Sequence, residues 1–61
     1  MFKPKATEYA NGWSATLDKS GALFVAIVRN AAGDVHDKMR CDNYRTAREY
    51  FAAFKRVAKA A

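Results

Sequence analysis

His36 and Cys41 are the only imidazole and the only thiol in the chain, and a thiol activated by an imidazole is the simplest nucleophile a protein can build. Their spacing works against it. They lie five residues apart on one run of extended character, and an odd separation on a strand sends two side chains to opposite faces. Asp34 and Asp37 are also oddly spaced, so they do not form a carboxylate pair for acid–base work. No Cys/His cluster has the spacing of a metal site, and the segment NAAGD, residues 30–34, is far too little for a phosphate-binding loop. We therefore expect no catalytic residue, no metal and no cofactor. A chain of 61 residues also has little material with which to enclose a water-excluding pocket. Catalysis that survived the loss of both His36 and Cys41 would place a catalytic site outside these two residues.

Charge is the remaining chemical resource. Eleven Lys and Arg stand against six Asp and Glu, a net +5 on a very small body. Such a field favours acidic partners: nucleic acid, anionic lipid or an acidic protein. Charge of this size also keeps a small domain soluble. No apolar run approaches the roughly 18 residues that span a bilayer. The first ten residues, MFKPKATEYA, lack the apolar stretch of a signal peptide. A lone cysteine fits a reducing compartment better than a disulfide-stapled secreted domain. The expectation is one complete, soluble, cytoplasmic domain with no membrane partner.

The elements that must position these residues follow from periodicity. Residues 1–11 read as a flexible basic tail, with Lys3 and Lys5 flanking Pro4, and Asn11-Gly12 as a turn. Residues 12–61 read as a single β-β-β-α domain. Trp13 to Asp18 alternates, with Trp13, Ala15 and Leu17 on the buried side. Lys19 to Gly21 is a hairpin turn, and a second strand runs from about Ala22 to Arg29. Asn30 to Gly33 turns again. The third strand, about Asp34 to Cys41, sets Val35, Met39 and Cys41 on one face and Asp34, His36, Lys38 and Arg40 on the other. Asp37 interrupts the apolar side, which suits an edge strand or a bulge. Thr46 to Glu49 reads as a capping box with Thr46 at the N-cap. In the helix that follows, Ala47, Tyr50, Phe51, Phe54, Val57, Ala58 and Ala61 fill one arc, while Arg48, Lys55 and Lys59 cluster opposite with Arg56 beside them.

The fold class is thus α+β: a three-stranded antiparallel meander followed by one C-terminal amphipathic helix packed on one sheet face. The middle strand has no polar residue from Ala22 to Val28, so its open face is apolar as well. Either Phe24, Ala26 and Val28 or Leu23, Val25 and Ile27 face the helix. Small Ala26 leaves room for the helix aromatics and favours the first set. Leu23, Val25 and Ile27 then form an apolar patch on the open face, where Ser14, Thr16, His36, Lys38, Arg40 and Arg29 make a polar, basic rim. A second copy or another protein could cover it, or Phe2 or Tyr9 of the tail could fold back over it.

The pieces FVAIVR, Gly33 and YRTAREYFAAF resemble the ethylene-response-factor type DNA-binding domain and the arm-site domain of phage and transposon integrases. Tyr44 and Thr46 fall where that family has an aromatic and a Thr. The resemblance implies major-groove reading by the open sheet face. Arg29, Lys38 and Arg40 occupy reading positions, whereas Val25 and Ile27 stand where polar readers stand in that family. The strand–turn pattern and the terminal VAKAA also resemble the small YegP-like domains, which implies a dimer-forming β-β-β-α module. Some small phage anti-CRISPR inhibitors look similar, with a meander and one amphipathic helix.

Two functions follow as expectations. The first is a non-enzymatic binding module for nucleic acid or a nucleoprotein complex, dimeric through the sheet face. Arg29, Lys38, Arg40, Arg48, Lys55, Arg56 and Lys59 would be its nucleic-acid-binding residues. The alternative is a phage- or mobile-element-encoded protein–protein inhibitor that docks Leu23, Val25 and Ile27 on a partner such as a CRISPR complex.

Overall fold

The computed structural model describes residues 2–61. Four strands and one helix follow in order: β1 (Lys5–Glu8), β2 (Ser14–Ser20), β3 (Leu23–Arg29), β4 (Val35–Cys41) and α1 (Tyr44–Ala60). The fold is α+β with an antiparallel sheet and one C-terminal helix, as expected, but the sheet has four strands in the order β1-β2-β3-β4. The fourth comes from the segment read as a tail. Pro4 does not block pairing, because the strand starts one residue later. Lys5, Ala6, Thr7 and Glu8 then pair with Leu17, Thr16, Ala15 and Ser14. A proline is tolerated at the margin of an edge strand, where no ladder bond is asked of its nitrogen.

The turns are built by side chains as much as by glycines. Ser20 pairs with Leu23, so the first central turn is the two-residue link Gly21-Ala22, shorter than Lys19 to Gly21. At the next turn the Asn30 Oδ1 accepts from the Ala32 and Asp34 backbone N–H groups, both at 3.0 Å. Asn11 does more. Its Oδ1 accepts from the Trp13 N–H at 2.9 Å, while its Nδ2 donates to the Ala58 and Ala61 carbonyls at 2.8 and 2.9 Å. The β1–β2 turn thereby closes the C-terminal end of α1, satisfying carbonyls that a helix end leaves unpaired. At the other end Asn43, not Thr46, is the N-cap, and its Oδ1 accepts from the Thr46 N–H at 2.8 Å. The helix starts at Tyr44 because Asn is as good a cap as Thr and lies one turn earlier.

One face of the sheet carries the helix. Ala15, Leu17, Ala26 and Val28 are fully buried against Ala47 and Ala58, which are fully buried too, and Phe51 and Phe54 complete the core. Phe24, Ala26 and Val28 therefore face inward, as small Ala26 suggests. Cys41 closes this core as a buried free thiol. Alanines on both layers let the helix lie close to the sheet, chiefly over β3 and β2 and less over β4. That offset leaves Tyr50 and Val57 at the margin of the apolar arc, 37% and 42% exposed rather than in the core.

A bulge in β4 changes which residues share a face. Val28 pairs with Asp37 but Arg29 pairs with Val35, so His36 is an extra residue. One extra residue inverts the alternation beyond it. Val35, expected beside Met39, instead shares the open face with Arg29 and is 50% exposed. His36, expected on the open face, places its ring 5.0 Å from that of Trp13, edge to face, at the end of the core.

Candidate functional site

The expected site residues divide between two surfaces. On the open face, register alone sets three rows across the sheet: Thr16, Ile27 and Lys38; Asp18, Val25 and Arg40; Ser14, Arg29 and Val35. Leu23 is 38% exposed and Ile27 partly exposed, but Val25 is only 8% exposed. The apolar patch is thus broken at its centre. Its neighbours Asp18 and Arg40 flank Val25, and a long arginine stem covers apolar surface while its head stays in water. Asp18, Lys38 and Arg40 line a shallow hollow with Leu23, Val25 and Ile27. Charge on this face is sorted, with Glu8 and Asp18 on the β1–β2 side and Lys38 and Arg40 on β4. Phe2 and Tyr9 do not cover it. Both pack instead against the core cluster on the helix side.

The helix residues Arg48, Lys55, Arg56 and Lys59 lie on the other side of the molecule, so they do not join Arg29, Lys38 and Arg40 in one surface. They meet residues that the sequence reading left in the tail. Three hollows follow the flank of α1 nearest β1. One holds Tyr44, Arg45, Arg48 and Glu49. A second, sharing Tyr44, holds Phe2, Lys3, Lys5, Lys19 and Phe24. A third, toward the helix C-terminus, holds Thr7, Tyr9, Ala52, Lys55, Arg56 and Lys59. Of the eleven Lys and Arg, only Arg29, Lys38 and Arg40 lie outside these hollows, and Glu49 is the one acidic residue in their lining. Tyr44, Arg48, Ala52, Lys55 and Lys59 are spaced by four, four, three and four residues, which keeps them on one flank of a helix. From Tyr44 to Lys59 the flank runs about 22 Å at 1.5 Å per residue.

Aromatic rings interrupt this basic flank. Phe2, Phe24 and Tyr44 form an edge-to-face trio with centroid separations of 5.4, 5.9 and 5.7 Å. The Lys5 ammonium lies over the Tyr44 ring at 5.9 Å and Lys19 over Phe24 at 5.5 Å. Farther along, Lys55 sits over Phe51 at 4.8 Å. Phe2, Lys3, Lys5, Lys19, Phe24 and Tyr44 are the residues that sequence reasoning missed. For Phe2, Lys3 and Lys5 the signal was a basic, aromatic N-terminal segment; Lys19, Phe24 and Tyr44 join them only through the packing of that segment.

Among the described residues no group of three or more His, Cys, Asp and Glu is placed to hold a metal ion, and no helix is long and apolar enough to cross a membrane. His36 and Cys41 stand at opposite ends of β4, about 16 Å apart at the rise of a strand. The chain matches no family model, no curated protein and no solved structure.

Proposed function

We propose that this protein is a non-enzymatic binding module for nucleic acid, with the flank of α1 that faces β1 as its phosphate-binding surface. The observation that carries this reading is the gathering of cations there: Lys3, Lys5, Lys19, Arg45, Arg48, Lys55, Arg56 and Lys59 line consecutive hollows with Glu49 as the only acid. A surface helix stays solvated with a mixture of charges, and a few cations in its last turn complement the helix dipole. That bland account covers Lys59 but not Lys3, Lys5 and Lys19, which come from other elements to the same side. Phosphate contacts of this kind give salt-sensitive, sequence-tolerant binding. Arg48, Lys55 and Lys59 replaced together by Ala should weaken binding of a single-stranded oligonucleotide in a gel-shift titration and flatten its salt dependence. Unchanged affinity in a folded triple variant would remove the helix flank from the account.

A second reading rests on the open sheet face, where acids on β1 and β2 stand across an apolar strip from cations on β4. Such a face is complementary to itself. A two-fold axis along β3 would lay Lys38 and Arg40 of one copy over Thr16 and Asp18 of another. Arg29, Lys38 and Arg40 then act in assembly, and a protein partner of similar polarity is the competing occupant. Asp18→Arg should lower the self-association measured by sedimentation, and Asp18→Arg with Arg40→Asp should restore it. A wild-type chain that stays monomeric at high concentration would end this reading.

A further inference from the structure

We infer that the corner formed by Phe2, Phe24 and Tyr44 is a seat for an unpaired base of single-stranded nucleic acid. This inference rests on the phosphate-binding reading and sharpens it by naming the form of the ligand. Three rings from three separate parts of the chain meet here, one before β1, one in β3 and one at the first turn of α1. The core does not account for all of their surface, because each remains partly exposed. The lysines show which way the rings open. Lys5 and Lys19 are exposed, and their ammonium groups lie over the Tyr44 and Phe24 rings. A hydrated ammonium can sit there only if those ring faces turn to the surface. A base that displaces these flexible lysine heads stacks on the same ring faces and carries its phosphate within reach of Lys3, Lys5 and Lys19.

A duplex would not use this corner, because its bases are stacked on each other and turn a π-face to a side chain only when extruded. A flexible single strand can place one base in the corner and run its backbone along Arg48, Lys55 and Lys59. The flank is long enough for a few nucleotides, at the small end of the site sizes that compact single-strand-binding folds cover.

The test compares two probes of equal charge: a labelled deoxyoligonucleotide of about eight nucleotides, and the same backbone with every base removed. Fluorescence anisotropy at moderate salt should show the base-bearing strand binding about ten-fold more tightly, on the order of what stacking one base on an aromatic ring contributes. Tyr44→Leu with Phe2→Leu should bring the two probes to equal affinity while leaving the salt dependence of the wild type. Should that pair of substitutions fail to fold, Phe2→Leu alone, at the chain end, should still narrow the gap. Equal affinity of the wild type for both probes would overturn the stacking seat and leave the phosphate surface standing. No binding of either probe would overturn both.

Discussion

Replacing Asn11 tests how the helix end is held. The Asn11→Ala chain loses three hydrogen bonds at once: two donated to the Ala58 and Ala61 carbonyls and one accepted from the Trp13 N–H. Asn11 is itself exposed, so removing its side chain opens the Trp13 N–H and the Ala61 carbonyl to water, while the carbonyl of buried Ala58 is the most poorly hydrated of the three. The loss is then the net worth of a hydrogen bond, about 1 kcal/mol each, or about 2–3 kcal/mol together. For a domain of this size that corresponds to a Tm lower by roughly 8–24 °C. Urea melts followed by far-UV circular dichroism read the change directly. Asn11→Asp separates the helix tie from the local turn. It keeps the acceptor for Trp13, removes both donors and brings a negative charge to the negative end of the helix. It should destabilise at least as much as Asn11→Ala. If Asn11→Asp were as stable as the wild type, the bond to Trp13 alone would matter, and the tie between the β1–β2 turn and α1 would be refuted.

Other outcomes follow from the same contacts. Leu17 is fully buried, so Leu17→Ala should cost about 2–5 kcal/mol and leave most of so small a domain unfolded, as dispersion loss in one-dimensional proton NMR would report. Gly12 and Gly33 share positive φ angles of 87 and 88°, but a Cβ on Gly12 would also come within 3.0 Å of the Ala31 Cβ while one on Gly33 meets open space. Gly12→Ala should therefore melt below Gly33→Ala, and equal Tm values would show that the contact yields without cost. Asn43→Ala removes the N-cap of α1 and should cost about 1 kcal/mol by urea titration, whereas Thr46→Ala should cost less. Leu23→Glu, at an exposed position on the open face, should leave the Tm nearly unchanged and reduce any self-association seen by sedimentation.

Much of the fold was legible because periodicity reports burial. β2, β3, β4 and the helix announce themselves through Ala15/Leu17, Phe24/Ala26/Val28, Met39/Cys41 and Phe51/Phe54, all of which lie in the core or pack against it. β1 was not legible, since KATE has no apolar alternation and follows a proline. It forms because Phe2 and Tyr9 on either side anchor it to the core. The bulge at His36 was signalled only by Asp37, a polar residue on the apolar side, and a single residue does not say where the register slips. The N-cap was read one turn late because Thr46 and Glu49 match a capping pattern that Asn43 preempts. Of the candidate surface, the helix cations were visible as a stripe. Lys3, Lys5 and Lys19 were not, because joining them to that stripe requires the long-range pairing of β1 and the packing of Phe2 on Phe24 and Tyr44.

The most direct test of nucleic-acid binding by the α1 flank is a salt titration of single-stranded oligonucleotide binding to the wild-type chain, followed by anisotropy. The account predicts binding that persists at physiological salt, with an affinity falling by about 0.7 log units per log unit of salt for each phosphate contacted. The slope should become shallower by about 2 when Arg48, Lys55 and Lys59 are replaced by Ala. Binding that vanishes at physiological salt, or a slope that the three substitutions leave unchanged, would contradict it.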